Sequence, residues 1–582
     1  MSGARAAHST NRVQPPEPVS SASNWILYTS LALAAICLFG LFSSEIADTD
    51  FWWHLRTGQF MVERHSLPVP DPFSYTTALR KPAYPAEEQI RHFNLTHEWL
   101  SQVLMYFLYL TGGFPAIDLF RSGMLAAVCG LSGFLAWRLS GNAYVGIAAA
   151  FATAWLAVEF RADRPTLVTF LFVPLFVTIL EVRRALWVLV PLSLLWANCH
   201  GGFFMGWVVL LAYCAGAVFE KDRLQLWLFA LCSIATSGLN PNGFGVVSTL
   251  LGYRRSQMQS NLIEWHPPYL WGPPYAFDIL LYASAVVLIL NWRKVRLAHW
   301  FLYAAFAGAS LLAFRNILLI AFLAPVLIAA YFRPRLPTFD FAWAVPLVLL
   351  IAIAVGMGRG AFFQLHVAGW KIPAGAAGYL ASNHVTAPMF NTYEEGGYLI
   401  WKLWPQERVF TDGRALSEAV NSDYREILYN KDSAVDQMTG PRAELLDQYG
   451  VQVVAMNTLE YVSGAVYPLA LALGRPENAD WQLVFDDAQA LVFLRRPPAG
   501  TLVYPDKLQR VLQHLDTECA AYIEHSPGTP MCARTLADYW LRNGLRDRGR
   551  EMLRLYLAHA PERDQEAERV WRQIDGGLLP QR

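Results

Sequence analysis

At 582 residues, 54% of them hydrophobic and only 16% charged, the chain is too long and too apolar for one ordinary soluble domain. Its formal net charge is zero, so nothing in the totals points to a nucleic-acid partner. What remains is a multispanning membrane protein whose partners have to be read from local features.

Residues 1–24 are polar, carry Pro15, Pro16 and Pro18, show no apolar periodicity and read as a disordered cytoplasmic tail. The run 25–42 is a first span: it is longer than a signal-peptide core and lacks a clear small-residue cleavage site, hence an uncleaved anchor. A large first external loop, 43–97, opens on ADTDFWWHLRTGQ, where Asp48 and Asp50 lie at a membrane surface beside Trp52, Trp53, His54 and Arg56. Carboxylates placed where a helix leaves the bilayer can take a proton from an acceptor while a lipid-linked donor approaches sideways. Helix capping by Asp50 or Thr49 accounts for one acid and does not need two. Phe51 to Arg64 has the pattern of a helix lying in the interface plane. LPVPDPFSYTT then crosses the surface, and HEW (97–99) returns the chain to the membrane. The apolar run 100–110 is short of the ~20 residues a span needs and reads as re-entrant or half-inserted.

Further spans fall at roughly 116–137, 143–158, 166–181, 185–199, 203–219, 224–239, 275–291, 297–313, 316–332 and 341–357, eleven with the first. Arg183 with Arg184, Lys221 with Arg223, WRKVR (292–296) and Arg333 with Arg335 occupy alternate loops and mark the cytoplasmic side. The opposite loops hold DTD and HEW, EFRADRP (159–165), NCHGGF (198–203), NPNGFG with IEWHPP (240–268) and FRN (314–316). An odd span count places everything after Gly358 on that same face. Asp118, Arg121, Glu159 and Asp278 sit near span ends and no repeat relates two halves, which disfavours an ion-coupled transporter.

After a linker, 358–383, the segment 384–498 reads as a soluble α/β domain with strand-like runs at 387–391, 408–411 and 451–457 and a hairpin of WQLVF and ALVFLRR about a DDAQ turn. NTYEEGGY (391–398) and TDGR (411–414) read as a helix start and a glycine turn, although loops after strands also line the crevice of an open α/β sheet. Residues 499–582 form a small helical cap in which 537–561 has the layout of one tetratricopeptide-like unit. Cys519 and Cys532 lie in this polar region, either as a disulfide in an oxidising compartment or as two reduced, buried thiols. The other five cysteines lie in or beside apolar spans and behave as small hydrophobes.

Transfer of a group from a polyprenyl phosphate needs a base for the acceptor, cations for the departing phosphate and a wall facing lipid. Asp48 and Asp50 are the candidate bases, and Asp163 is a second carboxylate to orient the acceptor or, with Asp48, hold a divalent Mg²⁺ or Mn²⁺. Arg161, Arg164, Arg315 and His200 are candidates for the donor phosphate, against the ordinary reading of span-end arginines as headgroup anchors and of His200 as a turn residue. Trp52, His54 and Glu264 are candidates for the acceptor or sugar, with Trp52 also suited to an interface belt. No zinc-ligand spacing, phosphate-binding glycine loop or nucleophile elbow is present.

The order of first span, acidic motif, interfacial helix, long external loop, returning segment ending in Gly112-Gly113, Arg121 and a later Asp loop resembles the GT-C superfamily of integral-membrane glycosyltransferases. DTDFWWHLRTG is similar in position and character to the first-loop acidic motif of oligosaccharyltransferase catalytic subunits, protein O-mannosyltransferases and lipid A aminoarabinose transferases. That resemblance implies Asp48 as the catalytic acid, with Asp50 close behind, and Asp163 as the second acidic loop. Residues 25–496 also resemble a group of bacterial multispanning proteins with WWHLRTG, DPFSYT, HEWL, NCHGGF, NPNG and GGYLIW with VFTDGR. The chain departs from the pattern in having no DxD cluster after Asp163 and a different soluble module after Gly358.

The expectation is an α-helical polytopic membrane protein, GT-C-like over 25–357, with the α/β domain and the tetratricopeptide-like cap behind it. It would be an inverting hexosyl- or pentosyltransferase of the bacterial inner membrane, using a polyprenyl-phosphate sugar and a protein, glycan or lipid acceptor among membrane lipids. The alternative is a non-catalytic scaffold that binds a partner in an envelope assembly.

Overall fold

The structure, a computed structural model, describes residues 21–220, 223–258, 262–332, 342–429, 438, 441–461, 463–560 and 562–575. Most of the expected N-terminal tail, Lys221, Arg333 and Arg335 lie outside the described residues. The first half is helical. Helix α1 (Ser21–Phe42) is followed by α2 (Phe51–Arg64), α3 (Glu87–Thr96) and α4 (Trp99–Ser140). In α4 the apolar run after HEW ends at Gly113, whose φ of 63° and ψ of −154° break the helix just before Pro115. The two apolar lengths therefore meet at an angle.

Among the described residues four stretches, Asn24–Phe42, Glu87–Ser140, Ala143–Phe160 and Phe314–Tyr331, are long and apolar enough to cross a membrane, and six further apolar helices have 10–17 residues. Length and composition by themselves do not establish eleven spans. Among them Trp99–Ser140, Ala143–Ala157, Tyr275–Leu290 and Leu297–Leu312 pack on Ile317–Tyr331, whose side chains are nearly all buried.

The second half carries a four-stranded sheet in the order β1-β2-β4-β3. Strand β1 (Met389–Asn391) runs parallel to β2 (Val453–Met456), and β4 (Leu491–Arg495) runs antiparallel to both β2 and β3 (Trp481–Asp486). All of β1 and β2 is buried, which is why VVAM reads as an unbroken apolar run. The expected strand at 408–411 is absent from the sheet: Val409 instead forms an isolated bridge to Ser74 of the first loop. Helices Met531–Arg542 and Arg546–His559 turn about Gly544, and Cys519 and Cys532 are joined by a disulfide.

The two halves are packed together through the first loop. Helix α2 is not an interface-plane helix with one face in lipid. Phe51, Trp52, Trp53 and Leu55 are all buried, and Trp52 makes edge contacts with Tyr398 at 4.8 Å and with Phe114 at 5.6 Å. Its amphipathic pattern is satisfied by protein on both sides.

Candidate functional site

Asp50 immediately precedes α2, yet its side chain makes no capping bond there. Its Oδ2 lies 3.0 Å from Nη1 of Arg164. Asp48 takes the other edge of the same guanidinium, with Nε donating to Oδ2 at 2.5 Å and Nη2 donating to Oδ1 at 2.7 Å, and its Oδ1 also accepts the Asp50 N–H at 3.1 Å. One arginine thus serves two carboxylates and leaves one negative charge over. Burial pushes the Asp50 carboxyl up to about 6, with Arg164 opposing the rise and Asp48 adding to it. Burial pushes Asp48 up as well, but the charge and hydrogen bonds of Arg164 outweigh it and hold that group below the usual carboxylate range. Asp48 is the fixed anion and Asp50 the one poised near neutrality.

A cavity of about 620 Å³ opens in front of Asp50. It is also lined by His54, Arg164, His200, Glu264 and Arg315. Arg315 donates to Glu264 at 3.3 Å and stands 4.7 Å from the centre of the Trp265 ring. Asp48, Trp52, Arg161 and Asp163 do not line the cavity. Arg161 turns back to donate to the Val158 carbonyl. Asp163 pairs with Arg121, which also pairs with Asp118 and donates to the Phe42 and Ser44 carbonyls, so this acid locks α1, α4 and the 159–165 loop together. On the far side of that loop, Asp163 and Arg164 border a small apolar groove with Leu104, Met105, Phe120 and Met124.

The second half closes the cavity. Tyr393, Glu394, Gly413 and Arg414 are part of its wall, the Glu394 carboxyl being pushed up to about 7 by burial. Gly413 is required here by space: a Cβ at that position would come within 1.7 Å of Asp50 Oδ1.

One further group was missed from the sequence. Glu98 Oε1 lies 3.4 Å from His97 Nε2 and 3.6 Å from His200 Nε2, and its Oε2 lies 3.6 Å from His54 Nδ1. All four residues line the cavity. Burial pushes His54 down to about 4 and His200 down to about 3, so both rings are neutral at pH 7. Burial raises the Glu98 carboxyl, but the charge and hydrogen bond of His97 lead the contributions that outweigh it and hold the group below the usual carboxylate range. Gly201 admits this cluster, since a Cβ there would come within 2.8 Å of the His97 ring.

No protein-family model matches the chain, and no curated protein sequence matches it. Solved structures do. The archaeal oligosaccharyltransferase AglB from Archaeoglobus fulgidus, in complex with an inhibitory peptide and a dolichol-phosphate, superimposes with a TM-score of 0.51 at 11% identity, over 84% of this chain and 76% of that one. The apo form of the Archaeoglobus fulgidus oligosaccharyltransferase gives 0.52 at 11% identity, over 83% and 76%.

The chain shares the overall fold of these oligosaccharyltransferases.

Asp48 and Asp163, the candidates for a shared divalent ion, face separate arginines, and Asp163 Oδ1 has no hydrogen-bond partner among the described residues. Both Asp48 oxygens are taken by Arg164 and Asp163 Oδ2 by Arg121. The residues whose donor atoms do converge are His97, Glu98 and His200, all within 4.8 Å of one another. The sequence signal for them was present in HEW and NCHGGF, two motifs that place histidine beside carboxylate or glycine. That they meet is a tertiary fact, which spacing along the chain does not encode.

Proposed function

We propose that the chain is a membrane glycosyltransferase that moves a sugar from a polyprenyl-phosphate-linked donor to an envelope acceptor on the non-cytoplasmic face. The observation that carries this reading is Asp50: a cavity-lining carboxylate held at one oxygen by Arg164 and raised to about 6. A base with that affinity for protons is matched to deprotonating an acceptor near neutral pH. The acceptor oxygen gives its proton to Asp50 and attacks the anomeric carbon; the bond from that carbon to the phosphate oxygen breaks, and the electron pair leaves with the lipid phosphate. Attack from the face opposite the phosphate inverts the anomeric centre.

Asp48 acts through Arg164, keeping the guanidinium in place beside Asp50. Arg164 is largely committed to the two aspartates, so Arg315, paired only loosely with Glu264 at 3.3 Å, is the better cation for the leaving phosphate. The apolar groove beyond Arg164 supports a lipid-linked donor, because Leu104 and Phe120 face outward there and give an isoprenoid chain an apolar path to the 163–165 loop. The Cys519–Cys532 disulfide supports an oxidising compartment for the second half and hence a periplasmic position in a bacterial inner membrane.

The test is a transfer assay with purified protein in lipid nanodiscs, a panel of radiolabelled polyprenyl-phosphate sugars and total envelope extract as acceptor. Label is expected to move from one donor to the extract. Folded protein that moves label from none of them would favour a partner-binding scaffold.

A further inference from the structure

We propose that His97, Glu98 and His200 hold a divalent first-row transition ion, zinc by preference, on the wall of the cavity. The inference is independent of glycosyl transfer, since it concerns what the wall binds. Three facts carry it.

The first is spacing. The Glu98 contacts of 3.4 Å to His97 and 3.6 Å to His200 are longer than the ~2.7–3.2 Å of ordinary hydrogen bonds. They are near the edge of about 3.3 Å expected between ligands at ~2.0 Å from a shared tetrahedral zinc.

The second is proton placement. His97 Nδ1–H donates to the Phe93 carbonyl at 2.8 Å, the outer bond that metal-bound histidines commonly make. With Nδ1 committed to that carbonyl, Nε2 is the ring atom that faces the Glu98 carboxylate and the one placed to take an ion. His200 Nδ1 stands 2.7 Å from Thr169 Oγ1, which also accepts the Trp196 Nε1–H at 2.9 Å. The Gly202 N–H points at the same Nδ1 from 3.1 Å and fixes the ring proton on Nε2 when no ion is bound. Ion binding then moves that proton to Nδ1, where Thr169 accepts it, and the Gly202 contact is given up.

The third is charge. Among the described residues no Arg or Lys pairs with Glu98; its ion-pair neighbours are His54, His97 and His200. Glu98 is only 8% exposed, and a divalent ion held with these imidazoles gives its buried side chain a cationic partner. Two imidazoles with one carboxylate suit zinc or its first-row neighbours and not Mg²⁺, which prefers an all-oxygen shell. Because the three residues line the cavity, the fourth position is open to water or to an oxygen of a bound substrate.

The experiment uses full-length protein in nanodiscs, stripped with a chelator and reloaded with Zn²⁺ alone, with metal content measured after gel filtration. One Zn²⁺ per chain is expected. His97→Ala and Glu98→Gln are expected to weaken binding by more than about 100-fold, and Thr169→Val, which removes only the outer partner, by about 10–100-fold. Excess Mg²⁺ should not displace the ion. Since Glu98 is buried and its replacement can disturb folding, the wild type reloaded with Co²⁺ gives a second readout: X-ray absorption should show two imidazole nitrogens in the shell. Zinc content equal in wild type and folded variants, displacement by Mg²⁺, or an all-oxygen Co²⁺ shell would overturn the proposal.

Discussion

Two triads of identical composition, two aspartates and one arginine, each draw an aspartate from the first loop and behave differently. In Asp71, Asp412 and Arg414 the side chains are only 2%, 3% and 2% exposed. Arg414 forks onto both Asp412 oxygens at 2.7 Å and reaches Asp71 at 2.5 Å, while the Asp71 oxygens also accept the Phe73 and Ser74 N–H groups. In Asp48, Asp50 and Arg164 the arginine is 33% exposed and Asp50 is 16% exposed, while Asp48 is at 5%. The first triad is closed: backbone donors absorb its surplus charge, and it clamps the first loop to the second half. The second is open towards a cavity, and its surplus charge is stored on Asp50. Equal composition thus yields a clamp where donors are plentiful and a base where they are scarce.

Removing the cation of the closed triad should produce the largest loss. Arg414→Met leaves two buried carboxylates without a partner and is expected to destabilise the protein by about 3–5 kcal/mol, read as a lower denaturation midpoint and earlier proteolysis of the second half. A smaller change tests how the two triads are joined. Gly413→Ala drives a methyl group against Asp50 Oδ1 and should cost about 1–3 kcal/mol in chemical denaturation while displacing Asp50 and lowering transfer.

The smallest effect concerns pH and distinguishes storage from clamping by sign. Arg164, Asp48 and Glu264 are the charged groups that act on Asp50, with the Tyr393 hydroxyl nearby. Its folded pKa of about 6 lies above the ordinary 3.8, so the folded state binds its proton more tightly than the unfolded chain. Its contribution therefore favours folding at low pH and turns less favourable as pH rises from 3.8 through about 6. Asp50→Asn is expected to raise the unfolding midpoint at pH 7 and to make no difference below pH 3.8, as melting curves across that range would show. In the wild type the transfer rate should fall as pH drops below about 6, where Asp50 is protonated.

Much of the helical half was legible because an apolar run is a local property. The loops DTD, EFRADRP, NCHGGF, IEWHPP and FRN could be grouped on one side from the alternation of basic loops, and Asp50, Arg164, His200, Glu264 and Arg315 from them line one cavity. The ranking within each loop was not legible. Asp163 and Arg164 are adjacent in sequence, yet one side chain is held by Arg121 and the other by Asp48. Pattern also cannot tell lipid from protein as the partner of an apolar face, which is why α2 read as an interfacial helix and proved to be buried on both sides. The run at 408–411 has strand-like residues, but its one bridge is to Ser74, more than three hundred residues earlier in the chain. TDGR and NTYEEGGY read as a turn and a helix start, which they are, and only the docking of the halves puts them at the cavity.

The most direct measurement compares the single-turnover transfer rate, per folded molecule, of Asp50→Asn and Asp163→Asn in the same nanodisc assay. If Asp50 is the base and Asp163 a structural lock, Asp50→Asn loses about 10²–10⁴-fold and the folded fraction of Asp163→Asn stays within about tenfold of wild type. Full activity in Asp50→Asn, or equal loss in both, would contradict the account.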